Sequence, residues 1–215
     1  MAKLTGPLFS FTALGTIAKA ITYSRWKGVG YARQRVIPAN PNSLDQQETR
    51  NTFKMLSGLW KVMQALAQAP WNANATGRPY TGRNRFMGDN LEVLRGDANM
   101  DAFLGSPGAL AGPATPPISA AFAGVSITVT MTAPTLPDGW TITQAEAICF
   151  PDQDPALIFG GPIFEASDAT DPYAPVLDIT DGPTGIYQVA AWFKFLRDDG
   201  RVAYGLSDLD QATKV

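Results

Sequence analysis

Residues 24–50 read Ser24-Arg25-Trp26-Lys27-Gly28-Val29-Gly30-Tyr31-Ala32-Arg33-Gln34-Arg35-Val36-Ile37-Pro38-Ala39-Asn40-Pro41-Asn42-Ser43-Leu44-Asp45-Gln46-Gln47-Glu48-Thr49-Arg50. The stretch passes from strand to helix, and its punctuation sets the N-terminal architecture. Val29–Ile37 is a β-like run, and Arg25–Gly28 supplies the glycine that a tight turn needs. Side chains alternate along a strand, so Val29, Tyr31, Arg33 and Arg35 share one face, with Gly30, Ala32, Gln34 and Val36 opposite. Pro38 and Pro41 remove donors and push their neighbours out of helical geometry. Ser43 and Gln46 then have the spacing of a capping box that opens a helix.

Working outward, Thr16–Ser24 is rich in β-formers and reads as the partner strand of a hairpin. Residues 1–15 read as an extended arm. Lys3, the apolar stretch 8–18 and Ala18-Lys19-Ala20 imitate a secretory leader, but Thr12, Gly15 and Thr16 dilute the apolar run, so strand is the better reading. Downstream, a helix is expected from about Leu44 to Gln68, with an apolar stripe of Phe53, Leu56, Trp60, Met63 and Ala67, widened by Leu59 and Leu66 and ended by Pro70. Trp71–Tyr80 reads as a loop. Thr81 is placed to cap a second helix over Gly82–Arg95. Arg78, Arg83 and Arg85 gather at its start, where cations oppose the helix dipole and therefore need an acidic neighbour or partner.

From residue 118 the period becomes two. Val125, Ile127, Val129 and Met131 alternate with Ser126, Thr128 and Thr130. Further β runs are Thr141–Phe150, Leu157–Phe159, Val176–Ile179, Ile186–Leu196 and Arg201–Leu206, separated by Pro-, Asp- and Gly-rich turns. Short strands at this spacing indicate a β-sandwich. In Ile186–Leu196, Tyr187, Val189, Ala191, Phe193 and Phe195 form the core face, which turns Trp192 outward as a candidate interface anchor.

The fold class expected is therefore α+β: an N-terminal β-hairpin with two helices, then an all-β immunoglobulin-like sandwich. The expected domains are 1–105, a Gly/Pro/Ala linker at 106–117, and 118–215. Charge supports two differently built halves. Residues 1–112 carry 13 Lys and Arg against 6 Asp and Glu, whereas residues 113–215 carry 4 against 13. With no His in 215 residues and one Cys, the commonest general base and any internal disulfide are absent. Asp152-Gln153-Asp154, Asp168, Asp171 and Asp208-Leu209-Asp210 are loop-type carboxylates that match no twelve-residue Ca²⁺ loop. The expectation is no enzyme, no cofactor and no metal. Arg25, Lys27, Arg33 and Arg35, interleaved with Trp26 and Tyr31, could clamp phosphates and stack a base, but the excess spread over 112 residues is diffuse and its companion is acidic.

Two resemblances sharpen this. The ordered set Trp26-Lys27-Gly28, Tyr31, Arg33, Arg35, Pro38-Ala39-Asn40-Pro41, Arg50, Phe53, Thr81-Gly82-Arg83-Asn84 and Phe86 resembles a group of small virion structural proteins of tailed bacteriophages and prophages, over about residues 10–95. It implies a virion component, assembled in the bacterial cytoplasm, with a capsid decoration or cement protein as first choice. A tail or head–tail connector component comes second, and a DNA-binding accessory protein third. The partners implied are other virion proteins, the major capsid protein before tail proteins, together with further copies of the chain; membrane and nucleic acid are not expected. The candidate interface residues are Trp26, Lys27, Tyr31, Arg33, Arg35, Arg83 and Trp192. Separately, residues 181–189 resemble the loop and penultimate strand of fibronectin type III and immunoglobulin-like domains. That resemblance gives Tyr187 the role of closing a corner by hydrogen-bonding back to the loop.

Overall fold

The hairpin read from residues 16–37 is present, within a larger sheet. In this computed structural model residues 2–4, 15–26, 29–37, 42–95, 100–108, 113, 115–155 and 159–215 are described. Four strands, β1 (Ala2–Leu4), β2 (Gly15–Ile17), β3 (Ile21–Trp26) and β4 (Val29–Gln34), form an antiparallel sheet in the order β1-β4-β3-β2. The β3–β4 hairpin closes on the pair Trp26 and Val29. The single strand expected over 16–24 is instead two. Ala18 and Lys19 adopt positive φ of 48° and 56°, and the Ala20 amide returns to the Ile17 carbonyl at 3.0 Å. No Gly or Asn marks that turn, so nothing in the local sequence announces it. Part of the expected arm, Ala2–Leu4, is an edge strand on β4. The proline break at 38–41 lies outside the described residues.

The chain divides into two compact units, Met1–Asn42 and Ser43–Val215. The second begins with helices α1 (Leu44–Val62), α2 (Ala65–Ala75) and α3 (Gly82–Leu94). Three helices stand where two were expected. The long helix breaks at Met63 and Gln64, and Pro70 lies inside α2 rather than ending a helix. Two side chains hold the break, one remote in sequence and one from within α2. Glu165 accepts the Gln64 amide at 2.7 Å, and Gln68 Nε2 donates to the Met63 and Trp60 carbonyls at 2.9 and 3.2 Å. They supply partners for backbone groups that a helix end leaves unpaired. Ser43 does sit at the N-cap of α1, but its side chain makes no capping bond. The buried stripe is Thr52, Met55, Leu56, Leu59 and Met63, rotated from the expected one so that Phe53 is 49% exposed. Met55 and Leu59 satisfy the same helical spacing one step round.

The rest of the second unit is a sandwich of two antiparallel sheets. Its strands are β5 (Ser119–Ala123), β6 (Ser126–Thr130), β7 (Trp140–Pro151), β8 (Phe164–Asp168), β9 (Val176–Asp178), β10 (Gly185–Arg197), β11 (Val202–Tyr204) and β12 (Asp208–Lys214). One sheet runs β11-β10-β7-β8 with β12 also on β10; the other runs β5-β6-β9. Residues 156–158, most of one expected strand, lie outside the described set. Strands β5, β8 and β12 were unread because SAAFA, FEASD and DLDQATK have little β-branched or alternating character. Acidic side chains tie β5 to β12: Asp208 and Asp210 accept the Ile118 and Ala120 amides at 2.9 and 2.7 Å.

The larger sheet is a middle layer. Tyr187, Val189, Ala191, Phe193 and Phe195 pack with Ile127, Val129 and Leu177 of the smaller sheet, as the alternation requires. The reverse face, with Ile148, Phe150, Ala190 and Trp192, is buried under the helices. Aromatic rings link the layers, Trp71 to Phe86 at 5.2 Å, Phe86 to Phe103 at 5.9 Å and Phe103 to Phe150 at 4.9 Å. The structural division thus falls at residue 42, not within 106–117, and the helices share a core with the sandwich. The start of the expected linker is locked in place. Trp71 Nε1 donates to the Gly105 carbonyl at 2.9 Å, and buried Ser106 donates to the Gly205 carbonyl at 2.8 Å.

Candidate interaction surface

The sheet of the first unit has two unlike faces. Register places Tyr31 opposite Ser24 on β3 and Lys3 on β1, and Arg33 opposite Thr22. Tyr31, Ser24, Arg33 and Thr22, with Thr16, form one polar and cationic face; the Thr16 and Thr22 hydroxyls meet at 3.1 Å. The other face carries Ile17, Ile21, Tyr23 and Ala32, together with Arg25 and Gln34. Ile17 is 60% and Ile21 45% exposed. No side chain described between residues 15 and 37 is buried.

The expected interface residues fall into three groups. Tyr31 and Arg33 share the cationic face, Tyr31 half-buried and Arg33 exposed. Trp26 ends β3 in register with Val29, and Arg35 follows the end of β4, exposed, its amide on the Ala20 carbonyl at 2.7 Å. Lys27 lies outside the described residues. Thr22 and Ser24 on β3 also belong to this face, and they follow only from the β3–β4 register, not from the alternation along β4.

Arg83 belongs to the second unit, on α3. Thr81 caps that helix by accepting the Asn84 amide at 3.2 Å, and exposed Arg83 donates from Nη2 to Ser57 Oγ at 2.8 Å. The neighbouring cations also find local partners: Arg85 pairs with Asp89 at 2.8 Å, and Arg78 donates to the Tyr80 hydroxyl at 2.8 Å. The acidic neighbour required by their place at a helix start is therefore Asp89, one turn on.

Trp192 is not an outward anchor. It is fully buried, its ring packs against Gly105, and its indole N–H donates to Glu146 Oε2 at 2.8 Å. The alternation along β10 was read correctly; what covers the second face is the helix layer, which local periodicity does not reveal. The Tyr187 hydroxyl does donate to the Pro183 carbonyl at 2.8 Å, closing the corner.

Asp152, Asp168, Asp208 and Asp210 are each bonded from within the fold. Asp168 accepts the Thr170 and Ala174 amides at 3.0 and 2.9 Å, and these donors, Ala174 first, hold its carboxyl below the ordinary range. Asp152 Oδ1 accepts the Met100 amide and Gln188 Nε2 at 3.2 and 3.0 Å. Among the described residues no group of three or more His, Cys, Asp or Glu is placed to hold a metal ion. Cys149 is buried in the sandwich, and burial pushes its thiol up to about 12, so the nucleophilic thiolate is scarce. Among the described residues no helix is long and apolar enough to cross a membrane.

No family model matches the chain, and no curated protein matches it. A comparison with solved structures finds a polysaccharide deacetylase from Bacillus cereus, at 14% identity and a TM-score of 0.28. The match covers 43% of this chain and 28% of that one, so this chain corresponds to well under a third of that structure's length.

Proposed function

We propose that the chain is a virion structural protein of a tailed bacteriophage, first of all a capsid decoration protein, in which residues 1–42 are the docking element. The observation that carries the reading is a four-stranded sheet in which no side chain described between residues 15 and 37 is buried. Such a sheet gains little from packing within its own unit. It gains by pairing Arg33 and Arg35 on another protein surface, and separately by covering Ile17, Ile21 and Tyr23 on the opposite face. The phage-like sequence pattern runs through the same element and continues into α3. Its Thr81, Gly82 and Phe86 build the helix layer, which leaves Trp26, Tyr31, Arg33 and Arg35 as its interface part. A decoration protein stabilises a shell because it binds only the assembled state, which shifts the equilibrium toward assembly.

The test is addition of purified protein to phage heads lacking it. Saturable binding is expected, and Trp26→Ala should lower occupancy while the unfolding curve is unchanged. Binding to purified tails but not to heads would transfer the assignment to a tail or connector component. Full occupancy by Trp26→Ala would remove this sheet as the docking element.

A further inference from the structure

We propose that residues 1–42 of one copy dock on the acidic 43–215 body of a second copy, joining copies head to tail. This rests on the reading of residues 1–42 as a docking element and adds a second receiving surface, between copies, to the one on the particle. The division of the fold at residue 42 concentrates charge that division at mid-chain hides. Residues 1–42 contain six Lys and Arg and no Asp or Glu. Residues 96–193, by contrast, contain 11 Asp and Glu and no Lys or Arg. Each copy therefore carries a wholly cationic unit and a long wholly anionic stretch.

The fold says which part of that stretch is available. Glu146 is buried and Asp152 is engaged by Met100 and Gln188. Asp171, Asp178 and Asp181 are exposed, in and beside β9, and Asp178 uses Oδ1 to accept the Thr180 amide and hydroxyl at 3.0 and 2.6 Å. β9 is an edge strand of the smaller sheet, and Val176 on it is 55% exposed. Lys214 is the cation near this edge, and its Nζ is committed to the Ile179, Thr180 and Gly182 carbonyls at 2.7, 3.1 and 2.7 Å. The donor side matches in chemistry. Lys19, Arg33 and Arg35 are exposed, and the sheet adds apolar Ile17 and Ile21. The cationic face of that unit fits an acidic protein edge, while Ile17 and Ile21 lie on the opposite face. Like charge opposes pairing of two such units with each other, so the contact is heterologous and builds rings or rows rather than a two-fold dimer.

Sedimentation of the full-length protein without phage particles tests this. The mean mass should rise with concentration at about 0.05 M salt and return to that of one chain at about 0.5 M, where exposed charges are screened. Arg33→Glu with Arg35→Glu, and separately Asp178→Lys with Asp181→Lys, should each weaken association by about tenfold or more. Mixing the two variants should restore it, because the unaltered cationic unit of one meets the unaltered acidic edge of the other. Single-chain mass at every concentration and salt overturns the proposal, as does failure of the mixture to associate. Salt-sensitive binding of an oligonucleotide, lost in the Arg33/Arg35 variant without any self-association, overturns it in favour of nucleic acid. Binding to heads by a protein that never self-associates would refute this contact while leaving the virion reading standing. Self-association without head binding would do the reverse.

Discussion

Glu146 and Trp192 face each other directly across β7 and β10, and the carboxylate accepts the indole N–H at 2.8 Å beneath the helix layer. Gln144 Nε2 donates to the other carboxylate oxygen at 2.6 Å. Burial pushes the Glu146 carboxyl up. The bonds from Gln144 and Trp192, and the charge of Lys194, pull it down by less. Tyr204 and Glu165 also face this group. The pair explains how a sheet face carrying a Glu and a Trp can be covered by helices: each satisfies the other's polar atom.

Its pH dependence follows from the direction of that shift. A carboxyl raised in the folded state contributes stability that is fully present below its unfolded value. That contribution is lost as pH rises through the folded value. Glu146→Gln keeps an acceptor for Trp192 but cannot ionise. Urea unfolding from acid to neutral pH should therefore show a smaller loss of stability in Glu146→Gln than in the parent, with the variant relatively more stable at neutral pH. Parallel pH profiles would refute the assignment.

How legible this architecture was depends on the range of the forces involved. The core face of β10, the Thr81 cap and the Tyr187 corner follow from spacing within a few residues, and all three are present. The fate of Trp192, the break after Val62 and the placing of Ala2–Leu4 depend on partners far along the chain. Period two says that Trp192 opposes Phe193; it cannot say that α-helices lie over it. Of the expected interface residues, Tyr31 and Arg33 were legible as one strand face. The strength of the charge segregation was not, because the boundary had been drawn from composition rather than from the fold.

Glu165 should prove to be a helix cap supplied from a strand. It accepts the Gln64 amide, and the Ala67 amide also stabilises its charge. Both amides belong to the start of α2, where the helix dipole favours an anion. Glu165→Ala is expected to cost about 1 kcal/mol, as for loss of an N-cap side chain. Hydrogen exchange should quicken at the first turn of α2 but not in α3. Uniform change across both helices would argue against a capping role.

Tyr187→Phe isolates the corner bond. The ring remains among Phe164 and the sandwich core, and the hydroxyl bond to Pro183 is lost. A loss of about 1 kcal/mol in unfolding free energy is expected, the usual net worth of one such bond. The denaturant dependence should be unchanged. An unaltered midpoint would show that the corner does not contribute to stability.

Gly82 is the residue of the Thr81-Gly82-Arg83-Asn84 motif with the least freedom to change. It opens α3 where that helix meets α2, and a Cβ there would lie 2.8 Å from the Asn72 amide nitrogen and 2.9 Å from its Cα, with the Asn72 side-chain oxygen closer still. Two of those three atoms are backbone, so relief requires the helices to separate. Helix contacts this close overpack when a methyl is added, at about 1–3 kcal/mol. Gly82→Ala should therefore destabilise the second unit even though alanine is the better helix former. Gly88→Ala, in the same helix with nothing within 4 Å of the added atom, should stabilise slightly or be neutral. Equal effects at the two positions would mean that the α2–α3 approach is looser than this packing, and that the motif's glycine is there for some reason other than close contact.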